Sequence, residues 1–213
     1  MKYEHIRRQV LEAALEAVRL GLIHGTSGNI SLRDRQAGVI AITPSGRPYD
    51  GMTPEDVAIV TPEGEWIDGA WKPSSETPMH TAVFRARPDV DAAVHTHSMF
   101  CTVMAMACDQ LPLTTPPHAE LAPVHVVPFA LPGSAELAGL VAAALADGGR
   151  AALMRNHGCF CCGTDMGAAM TAAVYTEEAA QIAYYATLLG RLTPLTGEQI
   201  RALQAVLSGG GAV

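Results

Sequence analysis

A three-layer α/β/α sandwich around a mixed, largely antiparallel sheet is the fold class this sequence predicts. Three observations carry it. Short β-type runs and helical stripes are interspersed along the chain. Several of the runs lie close enough in sequence to be joined as hairpins. The chain has 213 residues and 49% apolar composition, enough for one domain with a sizeable core.

Residues 4–22 set Ile6, Val10, Ala13, Ala14, Ala17 and Val18 at helical spacing, which predicts an amphipathic first helix. The turn-rich HGTSGNIS follows. Ile30–Leu32 and Val39–Thr43 read as strands separated by the polar RDRQAG, and TPSGRPYDG reads as a loop. TPEDV predicts a capped turn. Ile59–Val60 and Glu65–Asp68 flank PEG, a hairpin pattern. KPSSETPMHTAVFRARP predicts a loop and then a helix, with Ser75 as N-cap, Pro78 in the first turn and Pro88 at the end. DAAVHTH predicts a strand and SMFCTVMAMACD an apolar helix. Residues 123–129 predict another strand, and residues 134–147 a helix capped by Ser134. Residues 151–162 hold one or two strands. Asp165 caps a long helix to about Gly190, and residues 197–207 form a short last helix. A single domain over residues 1–213 is expected, with residues 206–213 as a flexible tail.

Composition narrows the function classes. A net charge of −7 argues against nucleic acid as the main partner, although a local loop can still bind a small anion. No apolar run approaches the roughly 20 residues needed to span a bilayer. The charged start MKYEHIRRQV is unlike a signal peptide, so the expected compartment is the cytoplasm. The five cysteines are then expected as free thiols.

The sharpest local signal is His95-Thr96-His97. On a strand, residues two apart share a face, so the two imidazoles make a ready pair of metal ligands. By itself the pair reads as readily as two hydrogen-bonded histidines. Glu76, at the start of a predicted helix, is a candidate general base, since a carboxylate beside a metal can move a substrate proton. The alternative is a surface carboxylate favoured by the helix dipole. His80 lies one turn further on the same face, where it either orients Glu76 or is an ordinary helix histidine. Three loops suit a phosphate. They supply Gly28 and Asn29, then Ser45 and Gly46, then Ser74 and Ser75. Small residues let the backbone approach an anion, and free N–H groups at a helix start attract it.

In order, GTSGNIS, ITPSGRPYDGMTPEDV, KPSSE, VHTHS and NHG resemble the motifs of the class II aldolase/adducin family over roughly residues 5–190. The resemblance implies the sandwich fold and a C4 homotetramer with active sites near subunit interfaces. It implies one zinc ion per subunit on His95, His97 and His157, with Glu76 as acid/base. It also implies that Gly28, Asn29, Ser45, Gly46, Ser74 and Ser75 hold a substrate phosphate. The implied reaction is zinc-dependent cleavage of a ketose 1-phosphate, such as L-fuculose 1-phosphate or a related deoxy-pentulose 1-phosphate. Its products are dihydroxyacetone phosphate and a small aldehyde. Zinc would stabilise the enediolate as a Lewis acid. The alternatives are a 4-epimerase-like or sugar-acid phosphate decarboxylase reaction, and a non-catalytic adducin-like interaction module.

The chain departs from the pattern in one respect. The fuculose-phosphate-cleaving members of the family, which the chain resembles, use one tyrosine in mid-chain and one in a C-terminal tail. Here LPLTTPPHAELAPVH has none, and none follows Tyr185. His118 and Glu120 are the nearest candidates to protonate the leaving alkoxide. RNHGCFCC, finally, offers thiols beside His157. On a continuous strand Cys159 and Cys161 would share its face. No second CxxC-type pair exists, so Cys159, Cys161 and Cys162 are expected to be buried packing residues.

Overall fold

The computed structural model describes residues 1–208, and their order is that of a three-layer sandwich. Helix α1 (Glu4–Arg19) leads into β1 (Asn29–Asp34), β2 (Val39–Ile42), β3 (Ala58–Val60) and β4 (Trp66–Asp68). Then come α2 (Thr77–Ala86), β5 (Ala92–Thr96), α3 (Met99–Ala107) and β6 (Val124–Val127). The chain ends with α4 (Ala135–Leu145), β7 (Ala151–Met154), β8 (Gly158–Gly163), α5 (Met166–Leu188) and α6 (Gly197–Ser208). The eight strands form one sheet in the order β4-β3-β2-β1-β5-β8-β7-β6. Every pairing is antiparallel except β6 with β7.

Strand pleating sends alternate side chains into two cores. Ile30, Val94, Cys159 and Cys161 point into the core that the sheet shares with α1, α3 and α5. Ile42, Ala93, Phe160 and Cys162 point into the core shared with α2 and α4. Helix α5 can lie close to the sheet because its buried face is Ala169, Ala172, Ala173, Thr176, Ala179, Ala180 and Ala183.

Helix starts with local caps follow the sequence. Ser134 accepts from Leu137 N, and Asp165 from Ala168 N. Four expectations need correction. Ser75 does not cap α2. Ser74 makes the turn instead: its carbonyl accepts from Thr77 N at 3.1 Å and its hydroxyl from Glu76 N at 3.2 Å. Strand β5 ends at Thr96, so His97 lies just beyond it. His157 sits in the β7–β8 turn, ahead of β8, after Asn156 with φ 56°. Residues 206–208 of the expected flexible tail belong to α6, and residues 209–213 lie outside the described residues. A 3-10 helix at Pro116–Leu121 is an element the sequence pattern does not announce. Among the described residues, no helix is long and apolar enough to cross a membrane.

Candidate active site

The site forms where the end of β5, the start of β1, the start of α2 and the β7–β8 turn meet. Register decides which side chains face it. Asn29 pairs with His95 across β1–β5, and His95 pairs with Phe160 across β5–β8. Paired residues share a face. Asn29, His95 and Phe160 therefore look toward α2, and Cys159 and Cys161 look the other way. Two glycines permit the close approach. Gly28 has φ +79°, and a Cβ there would meet the His95 carbonyl at 2.7 Å. A Cβ on Gly158 would meet the Thr96 carbonyl at 2.2 Å, so the turn that carries His157 can close on the end of β5 only with glycine there.

Glu76, His95, His97 and His157 converge, each offering one ligand atom, with these atoms within 4.8 Å of one another. His95 Nε2 is 3.0 Å from Glu76 Oε2 and 2.9 Å from His97 Nε2, and His157 Nε2 is 3.3 Å from Glu76 Oε1. His95 Nδ1 donates to the Cys159 carbonyl at 2.7 Å, which leaves the Nε2 lone pair facing the cluster. Glu76 Oε1 and His157 Nδ1 are buried without a hydrogen-bond partner. Three imidazoles and a carboxylate with one oxygen left unpartnered are a donor set that could hold a divalent cation. The cluster contains no cysteine; Cys159, Cys161 and Cys162 are buried free thiols.

The glutamate is held by a buried polar chain. Asn29 Nδ2 donates to Glu76 Oε2 at 2.9 Å. Asn29 Oδ1 therefore faces His80 Nε2, 2.5 Å away, and must accept from it. That assigns the Nε2–H tautomer to His80, whose Nδ1 accepts from Ser31 Oγ at 2.6 Å. Burial, and then the charge of His95, push His80 down to about 3, so it stays neutral. His80 thus orients Glu76 through Asn29 rather than by direct contact.

Electrostatics follow from the same contacts. Burial alone would raise the Glu76 carboxyl. The hydrogen bond and charge of His95, with Asn29 and His157, outweigh it and hold Glu76 well below the usual carboxylate range. Burial would lower His95, but Glu76 raises it. His97 is pushed down to about 4, and His157 down as well, by burial and the neighbouring imidazoles.

Above this cluster opens a cleft of about 360 Å³. All six residues of the three Ser/Gly loops line it, together with Glu76, His97 and His157. His95 lies fully buried behind them. The second and third loops are zipped together: Ser45 N donates to Lys72 O at 3.0 Å and Ser74 N to Thr43 O at 3.1 Å. The Asn29 side-chain amide is committed to Glu76 and His80. Among the described residues no lysine or arginine lines the cleft, so backbone N–H groups, hydroxyls and the start of α2 are what it offers an anion. Pro132 and Asn156 also line it. Sequence reasoning missed both, although Asn156 stands directly before His157. His118 and Glu120 are not brought to the cleft. His118 is buried in the 3-10 helix, where its Nε2 lies 3.7 Å from Glu178 Oε2, and Glu120 lies 3.5 Å from Arg150.

Comparison with known proteins gives the family of the chain. Residues 8–184 match the family described as Class II Aldolase and Adducin N-terminal domain. The 5-deoxy-D-ribulose 1-phosphate aldolase of Bacillus thuringiensis serovar kurstaki is 35% identical over 206 residues, 96% of each chain. The 5-methylthioribulose-1-phosphate/5-deoxyribulose-1-phosphate aldolase of Rhodospirillum rubrum is 36% identical over 181 residues, 83% of this chain and 79% of that one. A solved L-fuculose 1-phosphate aldolase superposes with TM-score 0.92 at 29% identity, covering 98% of both chains.

Proposed function

We propose, from the premise that this chain belongs to the class II aldolase and adducin family and is a metal-dependent aldolase, that it cleaves a ketose 1-phosphate with a short apolar tail. A 5-deoxypentulose 1-phosphate fits that description, and the products are dihydroxyacetone phosphate and a small aldehyde. The observation that carries this reading is one juxtaposition. A carboxylate and three imidazoles meet at the base of a cleft whose rim is built of hydroxyls and glycine backbone.

His95, His97 and His157 hold the metal, and zinc suits them. The bound ion supplies Lewis acidity to the substrate's oxygen atoms. The protein does the rest. The loops at Gly28–Asn29, Ser45–Gly46 and Ser74–Ser75 grip the phosphate and convert remote binding into orientation. Cleavage breaks the C3–C4 bond. The C4 hydroxyl gives its proton to solvent and becomes the aldehyde carbonyl, while the electron pair of the broken bond is left on C3. Glu76 delivers a proton to that carbon, and in the synthetic direction it removes the same proton. Asn29 and His80 keep the carboxylate aimed. The expected homotetramer would cover exposed apolar side chains near the cleft, Met99 two residues beyond His97 and Leu131 beside Pro132.

The test is a retro-aldol assay on zinc-loaded protein with a panel of ketose 1-phosphates. Dihydroxyacetone phosphate and aldehyde should appear in equal amounts. Interconversion of pentulose phosphates, or release of CO₂ without aldehyde, would overturn the reaction proposed.

A further inference from the structure

We infer that Glu177 is a positioning residue for the metal site: from α5 it pins the start of α3 and so aims His97. The inference rests on the reading of His97 as a metal ligand. His97 and Ser98 are a two-residue link between β5 and α3. On the strand side, Thr96 is held opposite Cys159 in β8. On the helix side, the first turn of α3 has free N–H groups that a cap residue normally satisfies. Ser98 stands at the cap position but makes no side-chain cap bond; its Oγ accepts from Thr96 Oγ1 at 3.2 Å.

Glu177 takes over that task. Its Oε1 accepts from Phe100 N at 2.9 Å and its Oε2 from Cys101 N at 2.8 Å. One carboxylate thus serves two consecutive donors and sits at the positive end of the helix. Glu177 is half-buried, next to Thr176, which is fully buried against the sheet. The tether therefore refers α3 to a rigid part of the fold. The two imidazoles of the motif differ in support. His95 is held by the Cys159 carbonyl, whereas His97 is exposed and has no such bond to backbone or carboxylate among the described residues. Its aim must come from its backbone, and the backbone is fixed by the two anchors.

The experiment compares wild type with Glu177→Gln, Glu177→Ala and His97→Ala in the full chain. It measures the Zn²⁺ dissociation constant by chelator competition, the thermal midpoint, and kcat and KM for retro-aldol cleavage. Glu177→Gln should weaken Zn²⁺ binding about tenfold and lower kcat by a similar factor, with KM changed less than about twofold. Glu177→Ala should do more. If both glutamate variants lose thermal stability but bind Zn²⁺ and turn over as wild type does, Glu177 is only a helix cap and the inference falls. Where Glu177→Ala does not fold, the isosteric Glu177→Gln carries the test. His97→Ala separates the two readings. If it binds Zn²⁺ as wild type does, the ligand assignment itself fails. If it loses Zn²⁺ while Glu177→Gln binds normally, the positioning role alone fails.

Discussion

On the face of β5 and β8 that looks toward α2, His95 is joined by Asn29 and Ser31 from β1, by Glu76 just before α2 and by His80 within it. On the opposite face of the same strands stand Thr96, Cys159 and Cys161, packed against the alanine-rich side of α5. Both faces carry side chains with metal-binding chemistry. On the first, Ser31, His80 and Asn29 aim one oxygen of Glu76, and its other oxygen is left orphaned where a cation would satisfy it. On the second, Thr96 lies 3.1 Å from Cys159 Sγ and Thr176 lies 3.6 Å from Cys161 Sγ, and the thiols fill space. The difference teaches that donor chemistry becomes a site only where the pleat gathers partners on one side.

The largest expected effect tests the first face. Glu76→Gln should cut retro-aldol turnover by about 10² to 10⁴-fold while the protein stays folded, measured as dihydroxyacetone phosphate release. Equal release by variant and wild type would remove Glu76 from the chemistry. His157→Ala should purify with Zn²⁺ well below one per chain by elemental analysis. A stoichiometric metal content in that variant would break the three-histidine assignment. Asn29→Ala should lower kcat by roughly 10 to 100-fold with the fold intact, because Glu76 loses the group that aims it. A change confined to KM would instead make Asn29 a substrate contact.

The smaller effects concern the cysteine strand. Burial pushes the Cys162 thiol up from 9.0 to about 11. Below pH 9 both folded and unfolded thiols are protonated, so this stability is fully present. Between pH 9 and pH 11 the unfolded thiol ionises first, and on the order of 2 kcal/mol is lost as pH rises. Urea melts across that range should show the loss, and Cys162→Ala should flatten it; an unchanged slope would sink the attribution. Smallest of all, Cys159→Ala and Cys161→Ala should each cost about 1 kcal/mol of stability and keep a full complement of metal. Metal loss in either would erase the contrast between the two faces.

Legibility followed the range of the interaction. Ser134 and Asp165 could be read as caps because a cap needs only three residues of chain. Ser75 could not be excluded, because what displaced it is the hydroxyl of Ser74 and a glutamate turned inward to meet Asn29 and His95. The sequence alone predicts that His95 and His97 share a strand face. They do meet, yet His97 does so from beyond the strand, where a helix start supports it. The β7–β8 turn puts His157 ahead of its strand, and Asn156 in a left-handed conformation makes that turn.

By itself, then, the chain's sequence determined the layers, most of the helices, the residue types at the site and the family to which they point. All of these rest on local periodicity, local capping or short motifs. The tertiary structure alone decided which donors meet. It set Asn29 opposite His95 by strand register and put Glu76 within reach of both. It also turned Cys159 and Cys161 away and gave the first turn of α3 to a carboxylate from α5. Those outcomes depend on contacts between distant parts of the chain, which fix direction as well as proximity.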